Sequence, residues 1–152
     1  MELFESGWGL SLIVFLPLLG AVALLMVPKE NESLAKQLAL TVSLVTFGLS
    51  LVLVSLFDYG AGGAFQFEAD ASWINAIDAR YHIGVDGISL PLLVLSTFVL
   101  VLAIIYSWDH WEEPRNPRAF LILMLILGTG MNGTFVALDL VRFFIFFEVV
   151  LL

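Results

Sequence analysis

From Trp8 to Val27 the chain carries no charged side chain, and the same is true from Ile88 to Ser107 and from Ala119 to Val136. Runs of this length match the roughly 20 apolar residues that an α-helix needs to cross a hydrocarbon layer about 30 Å thick. A further run, Leu34–Phe57, holds Lys36 as its one charge, and another opens at Leu138 and continues to Leu152. The pattern predicts an all-α, polytopic transmembrane bundle of about five helices, at 8–27, 34–57, 88–107, 119–136 and 138–152. The last of these has about 15 residues, short of a full crossing. Residues 1–152 are therefore expected to be the N-terminal part of a single membrane domain within a longer polypeptide.

Composition supports the same class. Hydrophobic residues make up 61% of the chain and charged ones 13%, against about half and a quarter in soluble domains. The acids outnumber the bases, 14 to 6, so no basic surface for nucleic acid is expected. There are no cysteines, which excludes disulfides and thiolate-held metal or iron–sulfur groups. His82 and His110 stand alone, without metal-ligand spacing. The start is acidic, with Glu2 and Glu5, where a signal peptide would be basic, so the first apolar run reads as a retained helix.

The six bases set an orientation. Lys29 and Lys36 flank the link between the first two runs, and Arg115 and Arg118 lie between the third and fourth. Placing those four inside leaves only Arg80 and Arg142 outside, as the positive-inside bias requires. The N-terminus is then outside. Trp8, Tyr59, Tyr106, Trp108 and Trp111 fall at run ends, where aromatic rings settle among headgroups. The outer link 58–85 contains two alternating stretches, Phe65–Ala69 and Tyr81–Val85, expected to pair as a small hairpin over the helix ends. Asp86 reads as the cap of the third helix, with Pro91 in its first turn.

One residue stands out chemically. Glu148 lies in the apolar run Leu140–Leu152, about ten residues into its helix, so at 1.5 Å per residue it sits about 15 Å deep. A carboxylate at that depth costs at least about 2.5–3.5 kcal/mol. Such a group persists where it faces protein or water, and it commonly serves an ion path. Desolvation disfavours its charged form, so a mobile cation nearby would control whether it holds a proton. The alternative is a structural ion pair or a packing hydrogen bond. Arg142, six residues earlier, falls on a different face, so a partner cation has to come from elsewhere.

Other candidates carry less chemistry. Asp139 is either the cap of the fifth helix or a point of proton uptake. Gly128, Gly130 and Gly133, with Thr129 and Thr134, make one side of the fourth helix small, which suits close helix packing. Asn132 is expected to hydrogen-bond across helices there. Glu112, Glu113 and Arg115 read as a wet loop face.

Two segments resemble a known family. Tyr81-His82-Ile83-Gly84-Val85-Asp86-Gly87-Ile88-Ser89-Leu90 is similar to the stretch leading into the third helix of subunit M (mitochondrial ND4) of NADH-quinone oxidoreductase, the respiratory complex I. Ala137-Leu138-Asp139-Leu140 and the phenylalanine run into Glu148 resemble that subunit's fifth helix. The resemblance implies an antiporter-like, proton-translocating subunit of about fourteen helices in a bacterial cell membrane, with no redox cofactor of its own. NADH, FMN, iron–sulfur clusters and quinone would belong to other subunits, and neighbouring antiporter-like subunits would be partners. Glu148 would be the family's fifth-helix glutamate, paired with a lysine on a seventh helix outside this sequence. The family carries Trp before that glutamate where this chain has Phe147. Subunits of multisubunit sodium/proton antiporters and of membrane-bound hydrogenases share the glutamate, so a cation/proton antiporter subunit is the alternative, and a purely structural membrane subunit is a third.

Overall fold

The computed structural model of the chain describes residues 7–60, 63–74, 79–109 and 116–151. Five helices and one hairpin follow in order: α1 Trp8–Met26, α2 Glu32–Leu56, β1 Gln66–Ile74, β2 Ala79–Val85, α3 Ser89–Tyr106, α4 Pro117–Val136 and α5 Leu140–Leu151. The first four helices are long and apolar enough to cross a membrane. α5, with 12 residues, is shorter. The helical bundle and its small sheet match the expected class, and each of the first four helices lies within two residues of its predicted bounds. His110, Trp111, Glu112, Glu113 and Arg115, like Glu2 and Glu5, lie outside the described residues.

Local chemistry sets the helix ends. The side chain of Asn31 accepts the Leu34 N–H at 3.2 Å to cap α2. Asn116 does the same for α4 through Ala119 N–H, with Pro117 in the first turn, where its missing donor costs nothing. Arg118 reaches across to donate to the Val27 carbonyl at the end of α1, at 2.6 Å, satisfying an acceptor that the helix itself leaves open. Lys36 pairs with Asp109 at 3.8 Å and lies over the Trp108 ring.

The interior is arranged by depth. At the hairpin end, Leu10, Ile13, Val14, Leu53, Val85, Leu93 and Val136 form one apolar core. At the opposite end, Ala21, Leu24, Ala39, Leu100, Ile104, Leu121 and Leu125 form another. Between them lie buried Ser43, Thr46 and Ser50 of α2, Ser96 and Thr97 of α3, and Thr129 and Asn132 of α4. Large apolar side chains such as Leu44, Leu51, Phe98 and Leu123 point outward. In lipid, where apolar burial drives no helix association, small and polar residues inside and large apolar residues outside are the stable arrangement.

β1 and β2 pair antiparallel, with Ala69 opposite Ile83, Asp70 opposite His82 and Ala71 opposite Tyr81. The strands are longer than their alternating stretches because pairing continues toward the turn, with Ser72 opposite Arg80 and Ile74 opposite Ala79, and the register is irregular between Gln66 and Ala69. There Phe67 takes a φ of 57°, a left-handed conformation unusual for a bulky residue. The hairpin is anchored to the link between α4 and α5: Leu138 N–H donates to the His82 carbonyl at 3.0 Å, and Ile83 bridges Ala137. It lies over the helix ends as expected.

Candidate functional site

α5 starts at a built cap. One carboxylate oxygen of Asp139 accepts the N–H groups of Val141 at 2.9 Å and Arg142 at 3.3 Å, and its carbonyl accepts that of Phe143 at 2.9 Å. An acid here satisfies donors that the first turn leaves open and meets the positive end of the helix dipole. Asp86 opens α3 similarly, accepting from Ser89 N–H at 2.7 Å and Ile88 N–H at 2.9 Å, while Ser89 Oγ accepts the Asp86 N–H. Those backbone donors, Ser89's first and Ile88's second, hold the Asp86 carboxyl below its ordinary range.

The approach of α5 to α4 fixes which of its side chains turn inward. A Cβ on Gly133 would overlap the ring of Phe146, and one on Gly130 would stand 3.0 Å from Val149 and Val150 and 3.2 Å from the Phe146 carbonyl. Glycine is what lets the two backbones meet. Phe146 also packs on Phe15 of α1, ring centres 6.1 Å apart. The inward residues of α5 are thus Arg142 and Phe146.

Glu148 is on the other side. It is two residues past Phe146, about 200° around the helix at 100° per residue. Its side chain is exposed, on a flank shared with exposed Phe143, Phe144 and Phe147. Among the described residues it is Arg142 that is enclosed, while Glu148 faces away from them. The physical reason is the glycine face of α4, which draws in Phe146 and so rotates Glu148 outward. Along the flank, Phe143 and Phe147 stack at 5.8 Å, one helical turn apart. The carboxyl group is therefore presented from an apolar aromatic surface.

Arg142 was legible only as an outer base. In the structure it is 4% exposed, its guanidinium 4.1 Å from the centre of the Tyr81 ring. The Tyr81 hydroxyl is in turn 2.8 Å from Ser11 Oγ. The sequence distance from α1 to β2 to α5 hides this cluster, and no local motif announces it. His82 Nε2 lies 2.7 Å from Glu68 Oε2 across the hairpin. Asn132 bonds across helices as expected, its Oδ1 accepting from Ser96 Oγ at 2.8 Å. A second cross-helix pair, Ser50 with Thr97 at 2.9 Å, was not foreseen. Its signal was present in the spacing of Ser43, Thr46, Ser50 and Leu53, which marks one helical face. Among the described residues no cluster of three or more acids and histidines could hold a metal ion.

A family model described as the amino terminus of NADH-ubiquinone oxidoreductase chain 4 matches residues 10–131. The chain belongs to this family. Subunit M of NADH-quinone oxidoreductase from Rhodobacter capsulatus is 42% identical over 143 residues, 91% of this chain and 27% of that protein. The chloroplast NAD(P)H-quinone oxidoreductase chain 4 of Staurastrum punctulatum is 37% identical over 145 residues, 94% of this chain and 27% of its own length. Subunit M of the F(420)H(2) dehydrogenase of Methanosarcina mazei is 36% identical over 141 residues, 93% of this chain and 28% of its own. The chain thus spans a little over a quarter of the length of these chain 4 and subunit M relatives. The family match ends at residue 131, whereas Asp139, Arg142 and Glu148 lie beyond it.

Proposed function

We propose that this chain is the N-terminal part of a proton-translocating membrane subunit in a complex of the NADH-quinone oxidoreductase type, and that Glu148 is its proton relay. Quinone reduction in other subunits drives charge movement here, and a cation moving toward or away from Glu148 sets whether the carboxyl holds its proton. The observation that supports this reading best is an acid presented from the phenylalanine flank of α5 in a family member. An ionisable group amid apolar surface is costly in a membrane unless further protein covers it, and such groups are kept where they carry charge. The relatives' names differ in their electron donor, NADH, NAD(P)H or F(420)H(2), while sharing the subunit M or chain 4 designation. A subunit common to different donors fits a role in ion movement, with donor chemistry, FMN, iron–sulfur clusters and quinone held elsewhere.

The test is Glu148→Gln in the assembled complex, which keeps shape and most hydrogen bonding and removes the charge. Proton-coupled turnover should fall by about 10²-fold, the scale of a positioned acid–base group, while the complex still assembles. Pumping at full stoichiometry in that variant would remove Glu148 from the path.

A further inference from the structure

α5 carries four phenylalanines, Phe143, Phe144, Phe146 and Phe147, and of these Phe146 alone is buried. Measured around the helix from Phe146 at 100° per residue, Arg142 and Val150 lie about 40° to either side and Val149 about 60° away. These residues make the inward contacts. The Phe146 ring seats on Gly133 and Phe15, Val149 and Val150 lie against Gly130, and Arg142 stacks on Tyr81. Glu148 is about 160° from that line and Phe147 about 100°. We propose that Phe146 is the positioning residue of Glu148: its ring fixes the rotation of α5 and so the direction in which the carboxyl meets its cation. The inference rests on Glu148 being the proton relay.

The observed rotation has a close rival. Turning α5 by one residue would bring Phe147, another ring, to the place of Phe146 and swing Glu148 through about 100°. Two points fix the helix against this. At its outer end, Leu138 N–H donates to the His82 carbonyl at 3.0 Å, and the Arg142 guanidinium stands 4.1 Å from the centre of the Tyr81 ring. One turn further in, Gly133 leaves room for the flat Phe146 ring, which a Cβ would overlap. The consequence is large for a carboxyl that exchanges a proton. A side-chain end about 6 Å from the helix axis moves about 2 Å when the helix rolls by about 20°, and a proton passes directly only between groups about 2.6–3.2 Å apart. The helices packed against α5 supply no second acid: α1 has no titratable side chain, and α4 has only Arg118, in its first turn.

The experiment uses the whole complex in proteoliposomes, with protons moved per electron measured for the assembled complex across neutral pH. Phe146→Ala should lower that ratio about tenfold, within the roughly 10²-fold that a misplacement of about 1 Å can cost. Its pH profile should move up by about one unit, because a carboxyl turned from its cation keeps its proton to higher pH. Phe146→Leu, which keeps most of the volume, should retain most of the ratio. A wild-type ratio and profile in assembled Phe146→Ala overturn the proposal. So does a lower ratio with an unmoved profile, which would mean a leak and not a displaced carboxyl. Where alanine prevents assembly, Phe146→Val is read in the same way; failure of both to assemble assigns Phe146 to folding and also overturns the proposal. Glu148→Gln separates this from the relay itself. Full pumping there removes the relay, whereas wild-type behaviour of Phe146→Ala beside an inactive Glu148→Gln removes only the positioning role.

Discussion

The inner face of α4 and the outer flank of α5 solve the same problem in opposite ways. α4 turns Gly128, Thr129, Asn132 and Gly133 inward, and the partners of these residues lie within the chain: Asn132 with Ser96, Gly133 against Phe146, Gly128 against Leu100. The α5 flank turns Phe143, Phe144, Phe147 and Glu148 outward. A self-contained face has a structural task that residues 7–151 complete. The outward flank presents a charge together with aromatic surface, so its task is defined by whatever meets it. Small-residue packing is local chemistry. A charged residue on an apolar flank is a relation with something else.

The strongest way to break this contrast is to substitute a residue on each face. Gly133→Leu forces a side chain into the Phe146 ring and should cost about 3 kcal/mol, the upper range for overpacking. It is read as a lowered unfolding midpoint of the subunit in mild detergent. Gly48, with nothing within 4 Å of an added Cβ, is the control: Gly48→Ala should be neutral or stabilising by up to about 1 kcal/mol. On the flank, Phe144→Leu should change stability by no more than about 0.5 kcal/mol if this surface meets only lipid. A loss near that of Gly133→Leu, appearing only in the assembled complex, would show that protein covers the flank around Glu148.

A second measurement sharpens the inner side. Ser96→Ala and Asn132→Ala should each cost about 1 kcal/mol, near the 0.6–1.7 kcal/mol measured for hydrogen bonds between helices in membranes. The double variant should cost less than their sum, because each single change already breaks the same bond. Strict additivity would mean that the 2.8 Å contact adds nothing to the association of α3 with α4. Asn132 Nδ2 is fully buried with no hydrogen-bond partner among the described residues. Asn132→Leu should cost less than Asn132→Ala, since both remove the unsatisfied donor and only leucine keeps the volume.

The contrast also shows what sequence could reveal. Helix positions were legible because a membrane crossing imposes length and apolarity on consecutive residues, and the glycines of α4 announced a close contact by residue type alone. The hairpin was partly legible: alternation marked Tyr81–Val85, but pairing carries β1 on to Ile74, beyond its alternating stretch, and the irregular register around Phe67 had no signal in the alternation. What faces what around α5 was not legible. The six-residue offset put Arg142 and Glu148 on different faces, yet nothing local said which face turned inward. That was decided by a glycine on α4 and a phenylalanine on α5, a pairing between elements that periodicity does not carry. Tyr81 over Arg142 failed to appear for the same reason, since three segments far apart in sequence meet there.

The smallest expected effects test whether the two capping aspartates differ. Asp86 and Asp139 each accept two backbone N–H groups at a helix start. If capping is their whole task, alanine should cost about 1 kcal/mol at either position and asparagine only a few tenths, because asparagine caps nearly as well. The pH dependence follows from the lowered Asp86 pKa. A carboxyl with a depressed folded value stabilises fully above its unfolded value, near 3.8, and that stabilisation is lost as pH falls through the lower folded value. Wild type should therefore exceed Asp86→Ala in unfolding midpoint at neutral pH by a margin that narrows below about pH 4. The decisive comparison is Asp139→Asn in the pumping assay. With the cap preserved and the titratable group gone, unchanged proton stoichiometry assigns Asp139 to the fold alone, whereas a fall without loss of stability would make it a point of proton uptake leading toward Glu148.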